Sequence, residues 1–272
     1  MSRELLTLLT LNTHSLIEKD YEIKSKKFAD AIGEILPDVF ALQEVNQSAK
    51  NAEITPDCMY FSCNDDVLVK SDNHAYILSM YLREIGLNYY WTYLPIKNGY
   101  DIYDEGLSVF SKNKISDTNV INLSKKDDYN DWRTRKALGI KIDNMWFYSV
   151  HFGWWKDGEF KHQWDRFVSE MDSEDIIFAM GDFNNPAHIK NEGYDYVKNS
   201  KWYDTYVLSK KKDFGYTAMS DIDGWNGNGE KIRIDYILCN KKINVMESCV
   251  VFNGINKDVV SDHFGVVAKV LR

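Results

Sequence analysis

The chain has 272 residues and a net charge of −8, because its 41 Asp and Glu outnumber its 33 Lys and Arg. Proteins that bind nucleic acid without sequence preference are usually basic, so this charge disfavours a long polyanion as the substrate. The N-terminal sequence lacks the features of a secretory signal, and no apolar run approaches the roughly 20 residues that span a bilayer. We therefore expect a cytoplasmic protein that binds no membrane and requires no obligate protein partner.

Cysteine and aromatic content add two expectations. Cys58, Cys63, Cys239 and Cys249 form neither a CxxC pair nor a zinc-ligand spacing, so we expect free thiols, with a Cys58–Cys63 disulfide as the alternative. Aromatic residues make up 14% of the chain. Some of these rings must lie at the surface, where flat rings can bind ligands.

The predicted elements alternate between strands and helices. An apolar strand at 5–14 precedes a helix that begins near Asp20 and ends before Pro37, and a second strand follows at 38–45. Periodicity then predicts helices at 73–85 and 160–171, and strands at 106–111, 137–142, 145–151, 176–183, 233–239 and 264–270. Neither a repeat nor a flexible linker divides them. We predict one α/β domain over residues 1–272, with two packed sheets and helices outside.

Polar side chains follow several predicted strands at the point where each strand ends. These clusters are Asn12–His14, Gln43–Glu44, His151, Asp182–Asn185, Asp235 and Ser261–His263. Strand ends converge on one rim of an α/β fold, and ligands bind there. The set holds carboxylates, amides and imidazoles without thiols, and oxygen-rich sets suit Mg²⁺, Mn²⁺ or Ca²⁺. Such a site meets the needs of phosphate-ester hydrolysis, which are charge neutralisation and activation of a water molecule.

Six segments then carry a resemblance to a known family. They are LNTH at 11–14, LQEV at 42–45, VHFG at 150–153, GDFNNP at 181–186, RIDYI at 233–237 and SDHFGVVAKV at 261–270. In content and order they resemble the endonuclease/exonuclease/phosphatase superfamily of metal-dependent phosphohydrolases. The resemblance implies a four-layer α/β sandwich, in which two packed mixed β-sheets are flanked by helices.

The resemblance also implies catalytic roles. Asp182 would orient or deprotonate the attacking water, and Asn184 would support the water and the phosphate. His263 would stabilise charge on the phosphoryl group, with Asp235 orienting its ring, and His151 would be a second imidazole on the phosphate. These roles imply in-line attack by water without a covalent intermediate. Without the other segments, Asp182 in GDFNNP could simply form a turn.

A metal site is implied in the same way. Glu44 would be the principal ligand, Asn12 would lie beside the metal and the phosphate, and Asp262 would lie near the metal or bind a second ion. The implied cofactor is Mg²⁺, with Mn²⁺ as the alternative. Glu105, in YDEGLSVFS, resembles the position that braces His151. For Glu44, Asn12 and Asp262 the alternative is a structural role, in which the side chain caps a strand end or a turn.

A narrower resemblance concerns the substrate. LNTHS at 11–15, YDEGLSVFS at 103–111, DWRTRKALGI at 131–140 and HFGWW at 151–155 are similar to maltose 6'-phosphate phosphatases of Gram-positive bacteria. This likeness implies a small phosphorylated sugar as the binding partner. Trp154 and Trp155 would stack on sugar rings, and Arg133 and Arg135 would contact phosphate. Core packing for the tryptophans and surface ion pairs for the arginines are the alternatives.

Other functions stay open on this sequence. One is an endonuclease, exonuclease or other phosphodiesterase of the same fold, acting on DNA or a sphingomyelin-type lipid. Another is a binding module without catalysis. His14 and His74 are expected to be solvated or hydrogen-bonded histidines, and Trp164 is expected to lie in the core.

Overall fold

The computed structural model describes residues 5–172, 174–219, 222 and 229–271. In these ranges the strands are, in chain order, β1 (Leu5–Asn12), β2 (Val39–Ser48), β3 (Glu53–Ile54), β4 (Val69–Lys70), β5 (Tyr90–Gly99), β6 (Tyr103–Ser111), β7 (Asp117–Asn122), β8 (Lys136–Ile142), β9 (Met145–His151), β10 (Ile176–Asp182), β11 (Tyr203–Asp204), β12 (Lys211–Lys212), β13 (Ala218–Met219), β14 (Lys231–Ile232), β15 (Asp235–Cys239), β16 (Asn244–Val251) and β17 (Gly265–Leu271). The α-helices are α1 (Tyr21–Ile35), α2 (His74–Glu84), α3 (Phe160–Ser169), α4 (Gly193–Asn199) and α5 (Thr205–Leu208).

Two large mixed sheets form the frame of the described residues. The first has the strand order β12-β16-β17-β1-β2-β6-β5, and the second has the order β11-β15-β10-β9-β8-β7. Each sheet contains a central parallel pair, β1 with β2 in the first and β9 with β10 in the second. Antiparallel strands flank both pairs. The two pairs therefore each present adjacent carboxyl ends at one edge of a sheet.

Apolar side chains hold the layers together. Val109 of the first sheet and Phe178 of the second belong to the buried cluster between the sheets. Phe28 of α1 and Leu78 of α2 cover the outer face of the first sheet, and Trp164 of α3 lies in the cluster that covers the second. The predicted four-layer sandwich is confirmed, and so is the core position of Trp164.

A polar contact crosses this apolar interface. Gln43 Nε2 donates to Ser149 Oγ at 2.9 Å, and Ser149 Oγ donates to the carbonyl oxygen of Leu42 at 2.8 Å. Gln43 and Ser149 are both fully buried. A buried polar pair of this kind is stable because each group is hydrogen-bonded.

Local sequence explains the helix ends. Asn73 caps α2, since its side chain accepts the backbone N–H of Tyr76 at 3.0 Å. Asp20 holds the N-cap position of α1, as predicted, but its side chain forms no capping hydrogen bond. Leu36 ends α1 in the left-handed region, and Pro37 prevents the helix from continuing.

Some features differ from the predicted ones. Sequence periodicity did not predict β5, β7 or β16, because β5 contains Pro95 and the other two carry polar residues among their apolar ones. Cys58 and Cys63 are free thiols, so the alternative disulfide between them is not formed. Among the described residues, none of the helices combines the length and the hydropathy that crossing a bilayer requires.

Candidate active site

The carboxyl ends of the two parallel pairs bring predicted site residues together. Asn12 is the last residue of β1, His151 the last of β9 and Asp182 the last of β10. Asp182 pairs in register with Asp235, the first residue of β15. Side chains from distant parts of the chain thus become neighbours at one edge.

The carboxylate of Asp182 lies at the centre of this group. Its Oδ2 is 3.2 Å from Nδ2 of Asn12, 3.6 Å from Nε2 of His151 and 3.8 Å from Nε2 of His263. Nδ2 of Asn12 also lies 2.8 Å from Oε1 of Glu44. The amide therefore joins the two carboxylates, one from each sheet.

The two imidazoles have different partners. Nδ1 of His263 lies 3.1 Å from Oδ2 of Asp235, so this carboxylate orients the ring and leaves Nε2 facing Asp182. The Asn184 amide donates to the carbonyl oxygen of Phe152 at 3.0 Å and to Nε2 of His151 at 3.1 Å. A neutral His151 that accepts at Nε2 carries its proton on Nδ1.

Burial raises the pKa of both central carboxyl groups. The pKa of Asp182 rises to about 7, and the charge of Asp235 adds to the effect of burial. The pKa of Glu44 rises to about 6 through burial and the charges of Glu105 and Asp262. A cation bound here would relieve this repulsion.

The imidazole pKa values diverge. Burial disfavours the charged form of His263, but the contact with Asp235 outweighs it and holds the pKa well above its usual value. Burial, with the positive charges of Arg135 and Lys97, holds the pKa of His151 well below its usual value. The site thus contains one imidazolium and one neutral imidazole.

A β-bulge aims the side chain of Glu44. The register of β2 against β6 shifts between Leu42 and Val45, and Glu44 adopts a left-handed φ of 50°. Ser15 Oγ donates to the carbonyl oxygen of Glu44 at 2.7 Å and accepts the backbone N–H of Asn46 at 3.0 Å. Ser15 therefore holds the backbone on both sides of the bulge.

Asp262 lies in a second group of charged side chains, with His14 and Glu18. Its Oδ1 lies 3.9 Å from Nδ1 of His14, and the same nitrogen is 2.8 Å from Oε1 of Glu18. Glu18 is also paired with Lys24. Hydrogen bonding to Glu18 and the nearby carboxylates outweigh burial and raise the pKa of His14 to about 9. His14, expected to be solvated or hydrogen-bonded, is bonded to Glu18 beside the candidate site.

The donor set fits a hard divalent cation. Two groups of described side chains each have candidate ligand atoms within 4.8 Å of one another, namely Asp182 with Asp235 and His263, and His14 with Glu18 and Asp262, but the raised pKa of each histidine favours its protonated form, which leaves the carboxylates as the donors. Neither group includes Glu44, whose carboxylate reaches Asp182 through Asn12. The carboxylate and amide oxygens of Glu44, Asp182 and Asn12 are the donors that Mg²⁺ prefers.

Two buried cations line the cleft beside these carboxylates. Lys97 Nζ lies 3.1 Å from Oε1 of Glu105, and it donates to the carbonyl oxygen of Trp132 at 3.1 Å. Arg135 is 2% exposed, and its Nη1 donates to the same carbonyl at 2.8 Å. Glu105 was expected to brace His151, but its ion pair is with Lys97, while His151 is bonded to Asn184. The register explains this pairing, because Glu105 faces Lys97 across β5 and β6.

The predicted sugar-binding and phosphate-binding residues divide into two sets. Trp154 and Arg135 line the cleft. Trp155 instead packs against Phe160 and Tyr196 on the helix side of the second sheet. Arg133 is exposed, pairs with Asp131 and stacks on Trp132 at 4.5 Å from the ring centroid. Neither Trp155 nor Arg133 lines the cleft. The residues next to them in the chain, Trp154 and Trp132, line it instead.

The cleft has a volume of about 240 Å³. Lys97 and Trp132 line it, and sequence reasoning did not identify either as a site residue. Lys97 lies on β5, which periodicity did not predict. Trp132 lies in the same loop as Arg133 and Arg135, the two predicted phosphate contacts. The only available signal for Trp132 was an aromatic residue beside those arginines.

Comparison with known proteins settles the family. The model of the endonuclease/exonuclease/phosphatase family matches residues 9–263. The chain belongs to this family. The members of the family are hydrolases and generally depend on a divalent metal ion. No protein among those with curated descriptions matches the chain.

Solved structures of the family have the same fold. An endonuclease/exonuclease/phosphatase family protein from Leptotrichia buccalis C-1013-b is 30% identical, with a TM-score of 0.87, and the alignment covers 97% of this chain and 99% of that one. A mannosyl-6-phosphatase from Bacteroides thetaiotaomicron is 16% identical, with a TM-score of 0.67 and coverage of 98% and 100%. TDP2 from Caenorhabditis elegans is 13% identical, with a TM-score of 0.62 and coverage of 99% and 75%.

Proposed function

We propose that this family member is a Mg²⁺-dependent phosphomonoesterase that releases inorganic phosphate from a phosphorylated sugar, such as maltose 6'-phosphate, in the cytoplasm. The observation that carries the proposal is the surrounding of Asp182, where an amide and two imidazoles lie within 4 Å of one carboxylate oxygen. Mn²⁺ is the alternative metal ion.

Asp182 is suited to hold and deprotonate the attacking water. Its pKa of about 7 makes it a stronger base than an ordinary aspartate, and its carboxylate accepts the backbone N–H of Asn184 at 2.8 Å. That hydrogen bond fixes the carboxylate orientation. Water aligned there can attack the phosphorus in line with the leaving sugar oxygen.

The two imidazoles are suited to the phosphoryl oxygens. The cationic ring of His263, held by Asp235, opposes negative charge in the transition state. His151 is neutral and accepts from the Asn184 amide at its Nε2, so a phosphoryl oxygen that binds here would take that amide N–H in its place. Arg135 and Lys97 add positive charge at the cleft wall.

The metal proposal rests on the carboxylates. Glu44 and Asn12 would hold the ion, and Asp262 would lie near it or bind a second ion. When bound, Mg²⁺ neutralises non-bridging phosphate oxygens and stabilises the leaving oxygen. The raised pKa of Glu44 supports a cation here, because a buried carboxylate is otherwise driven towards its neutral form.

Three observations favour a sugar phosphate over nucleic acid. The net charge of −8 disfavours a polyanion. The cleft is about 240 Å³ and is lined by two tryptophans beside Arg135 and Lys97, which suits a small anionic ligand with a ring better than a long duplex. A mannosyl-6-phosphatase shares the fold, which makes a sugar phosphate compatible with it.

A phosphate-release screen tests the proposal. The substrates are maltose 6'-phosphate, glucose 6-phosphate, nucleotides, inositol phosphates, sphingomyelin and short DNA, with His263→Ala as the inactive control. We expect release from sugar phosphates in the presence of Mg²⁺ and none from the control. Cleavage of DNA or sphingomyelin at comparable rates would contradict the proposal and favour a phosphodiesterase. Absence of turnover on every substrate would favour a binding module.

A further inference from the structure

A pair of tryptophans at the cleft has no part in the chemistry described above. Trp132 and Trp154 both line the cleft, and their ring centroids are 5.9 Å apart at an interplanar angle of 55°. Trp132 is 47% exposed, which is unusual for the largest apolar side chain. An exposed ring pair within a cleft is a feature of sites that bind ligands through ring faces.

The loop that carries Trp132 is held rigidly. Its carbonyl oxygen accepts hydrogen bonds from Lys97 Nζ at 3.1 Å and Arg135 Nη1 at 2.8 Å. The backbone N–H of Asn98 donates to the carbonyl oxygen of Tyr129 at 2.7 Å, which joins the loop to β5. A ring on such a loop loses little conformational entropy when a ligand binds.

The ring of Trp132 is also supported from one side. The guanidinium of Arg133 stacks on it at 4.5 Å, and Asp131 pairs with that guanidinium. The backbone beside Trp154 is anchored, because the N–H of Gly153 donates to Gln163 at 2.8 Å. The Trp132 ring and the backbone that carries Trp154 are therefore held by contacts within the chain.

Two residues that line the cleft each carry a buried polar atom without a hydrogen-bond partner. Nε of the buried Arg135 and Nε1 of Trp154 are buried without a hydrogen-bond partner in the described part of the chain. An unpaired buried donor is costly, so a ligand oxygen that accepts from it gains affinity. Apolar ring faces next to unpaired donors match a pyranose, which has apolar C–H faces and hydroxyl groups at its edge.

The cations connect the loop of the ring pair with the reacting centre. The charges of Arg135 and Lys97 act on His151 and Glu44, while both side chains are bonded to the loop of Trp132. A substrate with its phosphate at Asp182 would pass these cations before reaching the tryptophans. The first sugar ring would lie beside the cations and the next ring beside the tryptophans.

We propose that Trp132 and Trp154, with Arg135 beside them, form a subsite for the sugar ring that does not carry the phosphate. This inference rests on the proposed sugar phosphatase function. The enzyme would select phosphorylated disaccharides over hexose phosphates, because only the larger substrate reaches both the reacting centre and the ring pair.

The test compares two substrates that share the reacting phosphate. Maltose 6'-phosphate and glucose 6-phosphate are assayed with the wild type, Trp132→Ala and Trp132→Phe, under saturating Mg²⁺. We expect Trp132→Ala to raise KM for the disaccharide phosphate about tenfold and to leave KM for the hexose phosphate unchanged. Trp132→Phe retains a ring and should recover most of the loss.

A control and a binding measurement separate the outcomes. Phe214→Ala removes another exposed ring, 85% exposed and outside the cleft lining, and should change neither KM. Saturation-transfer NMR with unphosphorylated maltose should show contact in the wild type and lose it in Trp132→Ala. Equal KM changes for both substrates, or maltose contact that survives in Trp132→Ala, would overturn the subsite. Absence of phosphate release from both substrates, with maltose contact intact, would instead overturn the proposed function alone.

Discussion

Asp182 shows how position alone changes the chemistry of one residue. The side chain is 2% exposed and lies between an amide and two imidazoles, one of them charged. A surface aspartate is a weak base at neutral pH, but this one has a pKa of about 7. At that value the carboxylate is a competent base that is still ionised in a large fraction of molecules.

Replacing this carboxylate by an amide tests its role. Asp182→Asn keeps the size of the side chain and removes the base, so we expect kcat for phosphate release to fall by about 10²- to 10⁴-fold. A cooperative urea-unfolding transition should show that Asp182→Asn is folded. Asp117→Asn, at an exposed aspartate on β7, is the matched control and should keep full activity. A kcat within threefold of the wild type in Asp182→Asn would remove this residue from the mechanism.

Individual residues also show which parts of the site could be predicted from the sequence. The motif positions Asn12 and Asp182 could be predicted to lie together because each ends a strand, whereas Glu44, predicted near the end of a strand at 38–45, lies at the bulge inside β2. Arg133 and Arg135 could not be distinguished, because they are two residues apart in an irregular segment. Only the hydrogen bonds of the loop place Arg135 in the cleft and Arg133 on the outer face of Trp132.

The bulge in β2 is the element on which the metal proposal depends. A non-glycine residue in the left-handed region costs of order 1 kcal/mol or more, and surrounding contacts must compensate for it. Thr13 and Ser15, from the segment after β1, both donate to backbone carbonyl oxygens at Gln43 and Glu44. The LNTHS segment therefore supports the bulge as well as contributing Asn12.

Loss of the Ser15 hydroxyl should loosen the bulge. Ser15→Ala removes the acceptor of the Asn46 N–H and leaves the Glu44 carbonyl with the longer 3.3 Å bond from Thr13 Oγ1, which we expect to lower the free energy of unfolding by about 1–3 kcal/mol. The Mg²⁺ concentration for half-maximal activity should rise as well. Ser116→Ala removes an exposed hydroxyl that bonds to one backbone carbonyl, and it should change neither quantity by much. Identical results for the two variants would show that Ser15 does not position Glu44.

At the start of α2, His74 makes stability depend on pH. Its ring is buried, accepts or donates one hydrogen bond with Tyr21 at 3.0 Å, and has a pKa lowered to about 4 by burial. In the unfolded chain the pKa is about 6.5. Between these values the unfolded state binds a proton that the folded state excludes, so stability present above pH 6.5 is lost as the pH falls towards 4.

This linkage has a measurable size. Between pH 7.5 and pH 5, the His74 contribution should lower the free energy of unfolding by about 2 kcal/mol, measured by urea denaturation. His74→Phe cannot titrate and should show a smaller fall over the same range. His162→Phe is the control, because His162 is a partly exposed histidine on α3. A pH dependence that is unchanged in His74→Phe would show that other groups cause it.

Elements differed in how far the sequence revealed them. α1, α2 and α3 have regular apolar spacing and were predicted within a few residues. β5 was not predicted, because it contains Pro95 and the register against β6 shifts there. Because this strand was not predicted, Lys97 could not be assigned to the edge of the sheet where the site residues lie.

At the scale of the whole molecule, the acidic charge is partly concentrated in the site. Glu44, Glu105, Asp182, Asp235 and Asp262 all face the same region, and among the residues that the structure describes only Glu105 of these five has a lysine within 4 Å. His263, Arg135 and Lys97 compensate part of this negative charge, and a bound cation would compensate more of it. Metal binding should therefore stabilise the fold as well as support activity.

Chelation tests both effects together. Excess EDTA should abolish phosphate release, and added Mg²⁺ should restore it. Because the ion binds the folded state, the melting temperature should be lower in EDTA than in Mg²⁺ and should rise with Mg²⁺ concentration. Na⁺ at equal ionic strength controls for non-specific screening. Undiminished turnover in excess chelator would contradict the metal assignment.

The relative position of the two sheets also sets the distances between the site residues. Asn12 and Glu44 belong to one sheet and Asp182 and His151 to the other, so sliding the sheets by 1 Å would separate Nδ2 of Asn12 from Oδ2 of Asp182. Apolar packing alone has little directional preference. The buried hydrogen bond between Gln43 and Ser149, one residue before Glu44 and two before His151, sets the alignment that apolar packing leaves free.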